Sequence, residues 1–315
     1  MGFDTLLGNA RLKDNLTTAL RKGQLSHFYL ISGPEGSGKH TLARLLAAAL
    51  MCSGGEKPCL RCAACRKIMD GVHPDFITVE DPEHKNVAVK IIRQVRDDMF
   101  VRPNEGAVKI YFLPQSLGVE GQNALLKILE EPPEYGVFIL LTDNAEKLLP
   151  TVRSRCVELK LQPLSPEVLG SALHKEFPQA EAEAIRAATS RSGGYLGQAK
   201  ALLSGEDTPV QQTQDAVRAF CDSDSLLLTQ TLASMEKWKR DQLIEVLQQW
   251  FAIWEGALAC RSGMEALSPL SAQLAAHRSA SQLNAAAQNI QKAMEYAQSN
   301  VSPAAICGWL VWALR

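Results

Sequence analysis

The chain has 315 residues, enough for two or three domains with cores of their own. Apolar residues make up 46% and charged residues 21%, which is ordinary for a globular protein. The 33 basic and 34 acidic residues give a net charge of −1, which excludes a protein that binds nucleic acid through overall positive charge.

The N-terminus shows no secretory pattern, because no charged segment followed by an apolar stretch is present. The longest apolar runs, such as residues 42–51, are too short to span a bilayer. We therefore expect a cytoplasmic protein without membrane contact. In that compartment, the eight cysteines are expected to be thiols or metal ligands rather than disulfides.

Strands and helices alternate over the first 160 residues, which predicts an α/β fold with a parallel sheet covered on both faces. Nearly continuous apolar runs predict five strands, at residues 27–32, 76–80, 108–113, 137–142 and 157–161. Helical periodicity predicts four helices around them, at residues 11–21, 41–51, 89–100 and 121–131.

Beyond Pro163 the pattern is helical throughout, with helices predicted near 167–177, 180–192 and 196–204. Residues 205–209 have the composition of a linker, and an all-helical segment follows. In that segment an apolar stripe at helical spacing is expected to form core or a subunit interface; it consists of Leu243, Leu247, Trp250, Trp254 and Leu258.

A glycine-rich loop follows the first strand and opens the next helix, which is the geometry in which backbone N–H groups face a phosphate. Its candidate binding residues are Gly33, Gly36, Gly38, Lys39, His40 and Thr41.

The residues that should hold a magnesium ion beside this loop are missing. A hydroxyl normally follows the lysine, but that position is His40, and Thr41 comes one step later. The strand at 108–113 runs into Pro114 and Gln115, without the usual carboxylate. We expect no Mg²⁺ site and no independent ATPase activity; binding of ATP itself stays open, because Lys39 and the backbone cradle are retained.

Four cysteines fall within 14 residues, in the order C-x6-C-x2-C-x2-C; they are Cys52, Cys59, Cys62 and Cys65. Four converging thiolates suit a closed, tetrahedral, structural Zn²⁺ site. An iron–sulfur cluster or a redox pair is the alternative. The basic residues around the cluster are either solvated charges or a nucleic-acid contact.

Three segments together resemble the bacterial clamp-loader AAA+ proteins: residues 122–133, residues 138–142, and the stretch 151–156 that contains Ser154-Arg155-Cys156. The cysteine cluster after the phosphate-loop helix and His73-Pro74-Asp75 are further traits of that family. The resemblance covers about residues 1–205.

The resemblance implies a RecA-like AAA+ domain at 1–163 with an inserted zinc knuckle at 52–65, a helical lid at 164–207 and a helical collar for oligomerisation at 208–315. The missing metal ligands imply a non-motor member of the family. Such a subunit would sit in a hetero-pentamer with motor subunits and a delta subunit, and would help to place a sliding clamp on primed DNA.

In this family the arginine at the position of Arg155 reaches the ATP of a neighbouring subunit, so the resemblance implies an arginine finger in trans; a structural ion pair is the alternative. Thr142 occupies the sensor-1 position, and Gly197 stands where motor subunits carry a sensor-2 arginine. The sequence leaves two other functions open: an autonomous AAA+ ATPase that uses Thr41, and a zinc-dependent DNA-binding module.

Overall fold

The computed structural model describes residues 2–84, 86–204, 211–264, 266, 268–299 and 301–314. The chain divides into two compact units, residues 1–206 and 207–315. The predicted linker at 205–209 lies outside the described residues. The division into three parts stays an interpretation of the sequence.

The first unit is built on a five-stranded sheet in which every pairing is parallel. Its strands are β1 (Phe28–Ser32), β2 (Phe76–Thr78), β3 (Lys109–Leu113), β4 (Gly136–Thr142) and β5 (Val157–Lys160). They lie in the order β2-β3-β4-β1-β5, so the strand before the glycine-rich loop is an inner strand, second from one edge. The predicted α/β fold, a RecA-like AAA+ sheet domain accompanied by helices, is confirmed.

The described residues of the first unit form nine α-helices, which are numbered α1 to α9 in chain order. Their bounds are α1 (Ala10–Lys22), α2 (Lys39–Met51), α3 (Ala63–Met69), α4 (Val89–Asp98), α5 (Val119–Glu130), α6 (Pro150–Arg153), α7 (Pro166–Glu176), α8 (Ala182–Arg191) and α9 (Leu196–Ser204). Helix α3 was not predicted from the sequence; its seven residues follow the third cysteine of the cluster, which caps its N-terminus, and include the fourth.

Alternate residues of each strand pack on opposite faces of the sheet, as the period of two requires. Tyr29 and Ile31 of β1 join the core under α2, whereas Phe28 and Leu30 join the core on the other face. On that second face Phe138 stacks against Phe28, with ring centroids 4.9 Å apart. The sheet is therefore buried on both sides, which explains why its strands are apolar runs rather than alternating ones.

A buried carboxylate organises the loop that leads into β3. Asp75 accepts hydrogen bonds from the backbone N–H groups of Asn104, Glu105 and Gly106, at 2.6 to 2.8 Å. Burial by itself raises the pKa of Asp75, but these bonds outweigh it and hold the pKa below its usual value. The predicted motif at 73–75 therefore has a structural role in fixing this loop.

Helices α7, α8 and α9 pack around a small core of their own, formed by Leu169, Leu173, Ile185, Ala188 and Ala199. Ser165 caps the N-terminus of α7, and Pro166 occupies its first turn.

The second unit is all-helical over its described residues. Its helices are α10 (Gln211–Asp222), α11 (Ser225–Met235), α12 (Arg240–Arg261), α13 (Pro269–His277), α14 (Ala280–Gln298) and α15 (Pro303–Ala313). Serines cap the last three of these helices, at Ser268, Ser279 and Ser302.

The predicted apolar stripe lies on α12 and forms the centre of this unit's core. Trp250 and Trp254 are fully buried, and Leu258 packs at the edge of the cluster. The indole N–H of Trp250 donates to the hydroxyl of Thr213 on α10 over 3.0 Å, so the buried polar group is satisfied. Over the described residues, no helix combines the length and the apolar character needed to cross a bilayer.

Candidate functional site

The glycine-rich loop connects β1, the second strand from one edge, to the N-terminus of α2, as the sequence predicts. Gly36 and Gly38 have positive φ angles of 75° and 94°, which glycine adopts without steric cost. The loop therefore keeps the backbone form of a phosphate cradle.

The cation of this loop is already compensated within the chain. The Lys39 Nζ atom lies 2.5 Å from Asp143 Oδ1 and donates to the carbonyl oxygens of Gly33 and Pro34 at 2.6 and 3.0 Å. Only 10% of the lysine side chain is exposed. Three acceptors satisfy the ammonium group, so a phosphate would have to displace Asp143 to take its place.

His40 occupies the position of the missing hydroxyl and lies edge-on to the ring of Phe112, with centroids 5.7 Å apart. Burial lowers the pKa of His40, and the cations of Lys39 and Arg44 lower it further, against an opposing effect of Glu80. The imidazole is therefore neutral at neutral pH, and it offers nitrogen where Mg²⁺ prefers oxygen. Thr41 is exposed and lies about 100° further around α2, so it does not replace the missing ligand by position.

Gln115, at the end of β3, is engaged by the turn that follows β2. Its Oε1 accepts from the backbone N–H of Asp81 at 2.7 Å, while its Nε2 donates to the carbonyl oxygens of Asp81 (3.1 Å) and His84. An amide that makes three backbone hydrogen bonds is a structural brace and is not free to polarise a water molecule.

Asp81 is a carboxylate near this strand end that the sequence analysis did not single out. It accepts from His84 Nδ1 at 3.0 Å and from the backbone N–H groups of Glu83 and Ala88. The hydrogen bond from His84, above all, holds the pKa of Asp81 below its usual value. The carboxylate therefore fixes its own turn, and no signal in its sequence context distinguishes it from a surface residue.

The hydroxyl of Thr142, at the sensor-1 position, is turned into its own loop. It donates to the carbonyl oxygen of Asn144 at 2.8 Å and accepts from that residue's N–H at 3.2 Å. Like Gln115, this group is used within the chain.

The start of α9 lies directly on the glycine-rich loop. The N–H of Gly197 donates to the carbonyl oxygen of Gly36 over 2.9 Å, and Gln198 Nε2 donates to the carbonyl oxygen of Glu35 over 3.1 Å. A Cβ atom at position 197 would lie 2.5 Å from the Cα atom of Gly36. Any side chain larger than glycine's at this position would therefore force the two backbones apart.

Arg155 follows α6 and is exposed to solvent over 40% of its side chain. Its Nη1 atom donates to the carbonyl oxygen of Thr151 at 3.0 Å, and its Nη2 atom lies 3.4 Å from Glu130 Oε1, at the end of α5. The guanidinium group carries five donors, so several remain free to contact a partner outside the chain.

A buried glutamine connects α5 to the segment that leads to Arg155. Gln122 Nε2 donates to the carbonyl oxygens of Leu117 and Lys147 at 3.0 and 3.3 Å, and its Oε1 accepts from the N–H of Leu149 at 2.7 Å. Because Leu149 directly precedes α6, these bonds fix the base of the short helix that ends next to Arg155.

The structure brings the four predicted cysteines together, with their Sγ atoms all within 4.8 Å of one another. A tetrahedral zinc site has sulfur atoms about 3.8 Å apart, so the donor set fits a closed metal centre. Cys52 and Cys65 are buried, whereas Cys59 and Cys62 are partly exposed.

Backbone N–H groups point at the sulfur atoms, which favours thiolates. Cys52 Sγ accepts from Gly54 and Cys59 at 3.3 Å, and Cys59 Sγ accepts from Cys62 at 3.3 Å. The N–H of Cys65 lowers the pKa of Cys62 to about 6. Burial acts in the opposite direction on Cys65 and raises its pKa above the usual value. Because a zinc ligand must be a thiolate, Cys62 is already suited to a metal, whereas Cys65 would lose its proton when the metal binds.

Comparison with known proteins identifies the family. The model for the family described as "DNA polymerase III, delta subunit" matches residues 8–165, half of the chain. DNA polymerase III subunit gamma of Buchnera aphidicola subsp. Schizaphis graminum is 30% identical over 270 residues, covering 81% of this chain and 74% of the relative. DNA polymerase III subunit tau of Bacillus subtilis is 31% identical over 241 residues, covering 74% of this chain and 41% of the relative.

Among solved structures, a DNA polymerase III gamma subunit-related protein of Thermotoga maritima aligns at 17% identity and a TM-score of 0.49, over 95% of this chain and 98% of that one. The family match and the identities to the gamma and tau subunits confirm the resemblance seen in the sequence. The chain belongs to the bacterial DNA polymerase III clamp-loader family of AAA+ proteins.

Proposed function

We propose that this chain is the non-motor, delta-prime type of clamp-loader subunit, which supplies Arg155 in trans to the ATP site of a neighbouring motor subunit. One observation carries the proposal: the polar groups of its own nucleotide site are engaged within the chain, while Arg155 is exposed with free donors. Such a subunit takes part in ATP hydrolysis without performing it.

The engaged groups account for the absence of a cis reaction. Phosphoryl transfer needs a bridging metal ion and a positioned water molecule. Gln115 braces a turn, the Thr142 hydroxyl bonds to its own loop, and Lys39 is paired with Asp143. This arrangement supports the expectation that the isolated chain does not hydrolyse ATP.

The free donors of Arg155 account for the trans role. A guanidinium group is charged at every physiological pH and can contact two phosphate oxygens at once. Placed against the phosphates of a neighbour, it stabilises the charge that develops as the terminal phosphoryl group departs. Within the chain, the Thr151 carbonyl and Glu130 each take one contact from a terminal nitrogen, which leaves the other N–H groups available to a neighbour's phosphate.

Cys52, Cys59, Cys62 and Cys65 would hold a structural Zn²⁺ ion. All four positions of a tetrahedral ion are filled by sulfur, which leaves none for a substrate. The ion would supply folding energy to a loop that has few apolar residues of its own.

The partners follow from the family. The chain would join motor subunits and a delta subunit in a hetero-pentamer, through the all-helical unit at 207–315 acting as a collar. The complex would open a sliding clamp and place it on primed DNA. This chain would contribute a catalytic arginine and would itself act as a relatively rigid member of the complex.

Reconstitution of the full loader tests the proposal. Arg155→Ala should leave assembly intact and lower ATP turnover at the neighbouring site by about 10³-fold, the usual effect of removing a trans arginine. Arg153→Ala is the matched control, because Arg153 is equally exposed two residues earlier and should leave turnover unchanged. Unchanged turnover in Arg155→Ala, with an assembled loader, would contradict the trans role.

The isolated chain tests the two rival functions. An autonomous ATPase predicts turnover that Lys39→Ala abolishes, whereas we expect no turnover to abolish. A zinc-dependent DNA-binding module predicts salt-sensitive DNA binding that Cys62→Ser removes. We expect the isolated chain to have little affinity for DNA, because its net charge is −1.

A further inference from the structure

We propose that Glu130 is a positioning residue for Arg155, an inference that rests on the proposed trans function. Its carboxylate would hold the guanidinium plane in the orientation from which the free donors reach a neighbouring phosphate. Glu130 would therefore act on the reaction only through Arg155.

The first step is the geometry of the pair. Arg155 is held at two points: its Nη1 atom donates to the carbonyl oxygen of Thr151 at 3.0 Å, and its Nη2 atom lies 3.4 Å from Glu130 Oε1. Thr151 lies four residues before Arg155, so this bond is local, whereas Glu130 approaches from a different helix. Two anchors from independent elements define the plane of the guanidinium group, which a single anchor leaves free to rotate.

The second step is the place of Glu130 in its helix. It is the last residue of α5, where the helix dipole is negative and a carboxylate is disfavoured. Glu131 follows directly, so two negative charges meet at this helix end. Cations stabilise such a helix end: Lys127 lies in its last turn, and Arg155 is the cation that pairs with Glu130.

The third step is what the pair contributes to a trans contact. An arginine that must reach a phosphate from an unrestrained state loses side-chain entropy when it binds, and prior orientation reduces that loss. Because 57% of the Glu130 side chain and 40% of the Arg155 side chain are exposed, the pair is weak enough to let the arginine move towards a stronger anion. The carboxylate thus orients the group without trapping it.

Neighbouring Glu131 provides the matched comparison. It is exposed and carries the same charge at the same helix end, but within the described part of the chain it has no ion-pair partner. A general effect of negative charge at this helix end would involve both residues, whereas a positioning effect involves Glu130 alone.

The experiment uses the reconstituted loader with clamp and primed DNA. Glu130→Ala should lower kcat for DNA-stimulated ATP hydrolysis by about three- to fivefold, the range expected from losing one exposed ion pair, with KM for ATP unchanged. Glu130→Gln keeps an acceptor oxygen and should fall between Glu130→Ala and the unmodified protein. Glu131→Ala should match the unmodified protein.

A double-mutant cycle separates positioning from a structural effect. In the Arg155→Ala background, Glu130→Ala should cause no further loss, because its only route to the reaction has been removed. An unchanged kcat in Glu130→Ala, or a loss that persists without Arg155, would overturn the inference while leaving the trans arginine in place. If Arg155→Ala itself leaves hydrolysis unchanged, the proposed function fails first and Glu130 has nothing to position.

Discussion

The glycine-rich loop and the segment from α6 to Arg155 lie in the same unit, and their cations differ in how far they are paired within the chain. Each presents a cation suited to phosphate, but Lys39 is 10% exposed and fully satisfied within the chain, whereas Arg155 is 40% exposed and only partly satisfied. The difference teaches that a phosphate-binding residue must be judged by its free donors, since the sequence motif alone is equally clear in both regions.

The largest expected effect on stability concerns Gln122, whose hydrogen bonds hold the segment that leads to Arg155. Gln122→Ala would remove a buried side chain and leave three part-buried backbone groups without their partner, so it should destabilise the protein by about 2–4 kcal/mol. The midpoint of thermal or urea unfolding measures this loss. Asn123→Ala, at the exposed neighbouring position, is the control and should change stability by less than about 0.5 kcal/mol. Equal effects of the two changes would mean that Gln122 does not stabilise the segment that leads to Arg155.

The next effect on stability concerns the contact between Gly197 at the start of α9 and Gly36 of the glycine-rich loop. Gly197→Ala should destabilise the protein by about 1–3 kcal/mol, because the added Cβ atom meets the Gly36 Cα atom at 2.5 Å. Gly170→Ala, within α7, has its nearest neighbour at 3.9 Å and should instead stabilise the protein by about 0.5–1 kcal/mol. Unfolding midpoints of the two variants should therefore move in opposite directions, and a stabilising Gly197→Ala would show that α9 does not rest on the loop.

A smaller effect, on nucleotide affinity, tests whether the ion pair with Asp143 keeps Lys39 from binding phosphate. Asp143→Asn removes the anion that competes with phosphate and should strengthen binding of ADP by about three- to tenfold. Titration calorimetry of the full chain measures this gain. Asp97→Asn removes an exposed carboxylate paired with Arg96 instead and should leave ADP affinity unchanged. If Asp143→Asn weakens binding or leaves it unchanged, Lys39 is not restrained by this pair.

The smallest expected effect is the sharpest contrast with Arg155. Lys39→Ala in the reconstituted loader should change ATP turnover by less than about twofold, because in the proposed function this loop takes no part in the reaction. The same assay that reports the Arg155→Ala loss measures it. A loss as large as that of Arg155→Ala would place a working ATP site in this chain and break the comparison.

Local patterns were sufficient to predict the sheet and the loop. Apolar runs such as the one ending at Ser32 form strands buried on both faces, and a glycine-rich segment after such a run has few alternatives to a phosphate cradle. Helix α3 was missed because its seven residues, which start within the cysteine cluster, are too few to show helical periodicity.

The sequence could not show which site residues are already paired within the chain, because their partners lie far away in the sequence. Lys39 meets Asp143, which is 104 residues later, and Gln115 meets a turn 34 residues earlier. Spacing along the chain identifies which residues can bind phosphate or water, but only the folded sheet determines which of them are already occupied. The pairing of Arg155 with Glu130 was missed for the same reason.

The contact between Gly36 and Gly197 also has an evolutionary consequence. A side chain at position 197 would require the two backbones to separate first. A substitution in α9 would therefore also disturb the glycine-rich loop, so we expect these two segments to change together during evolution rather than independently.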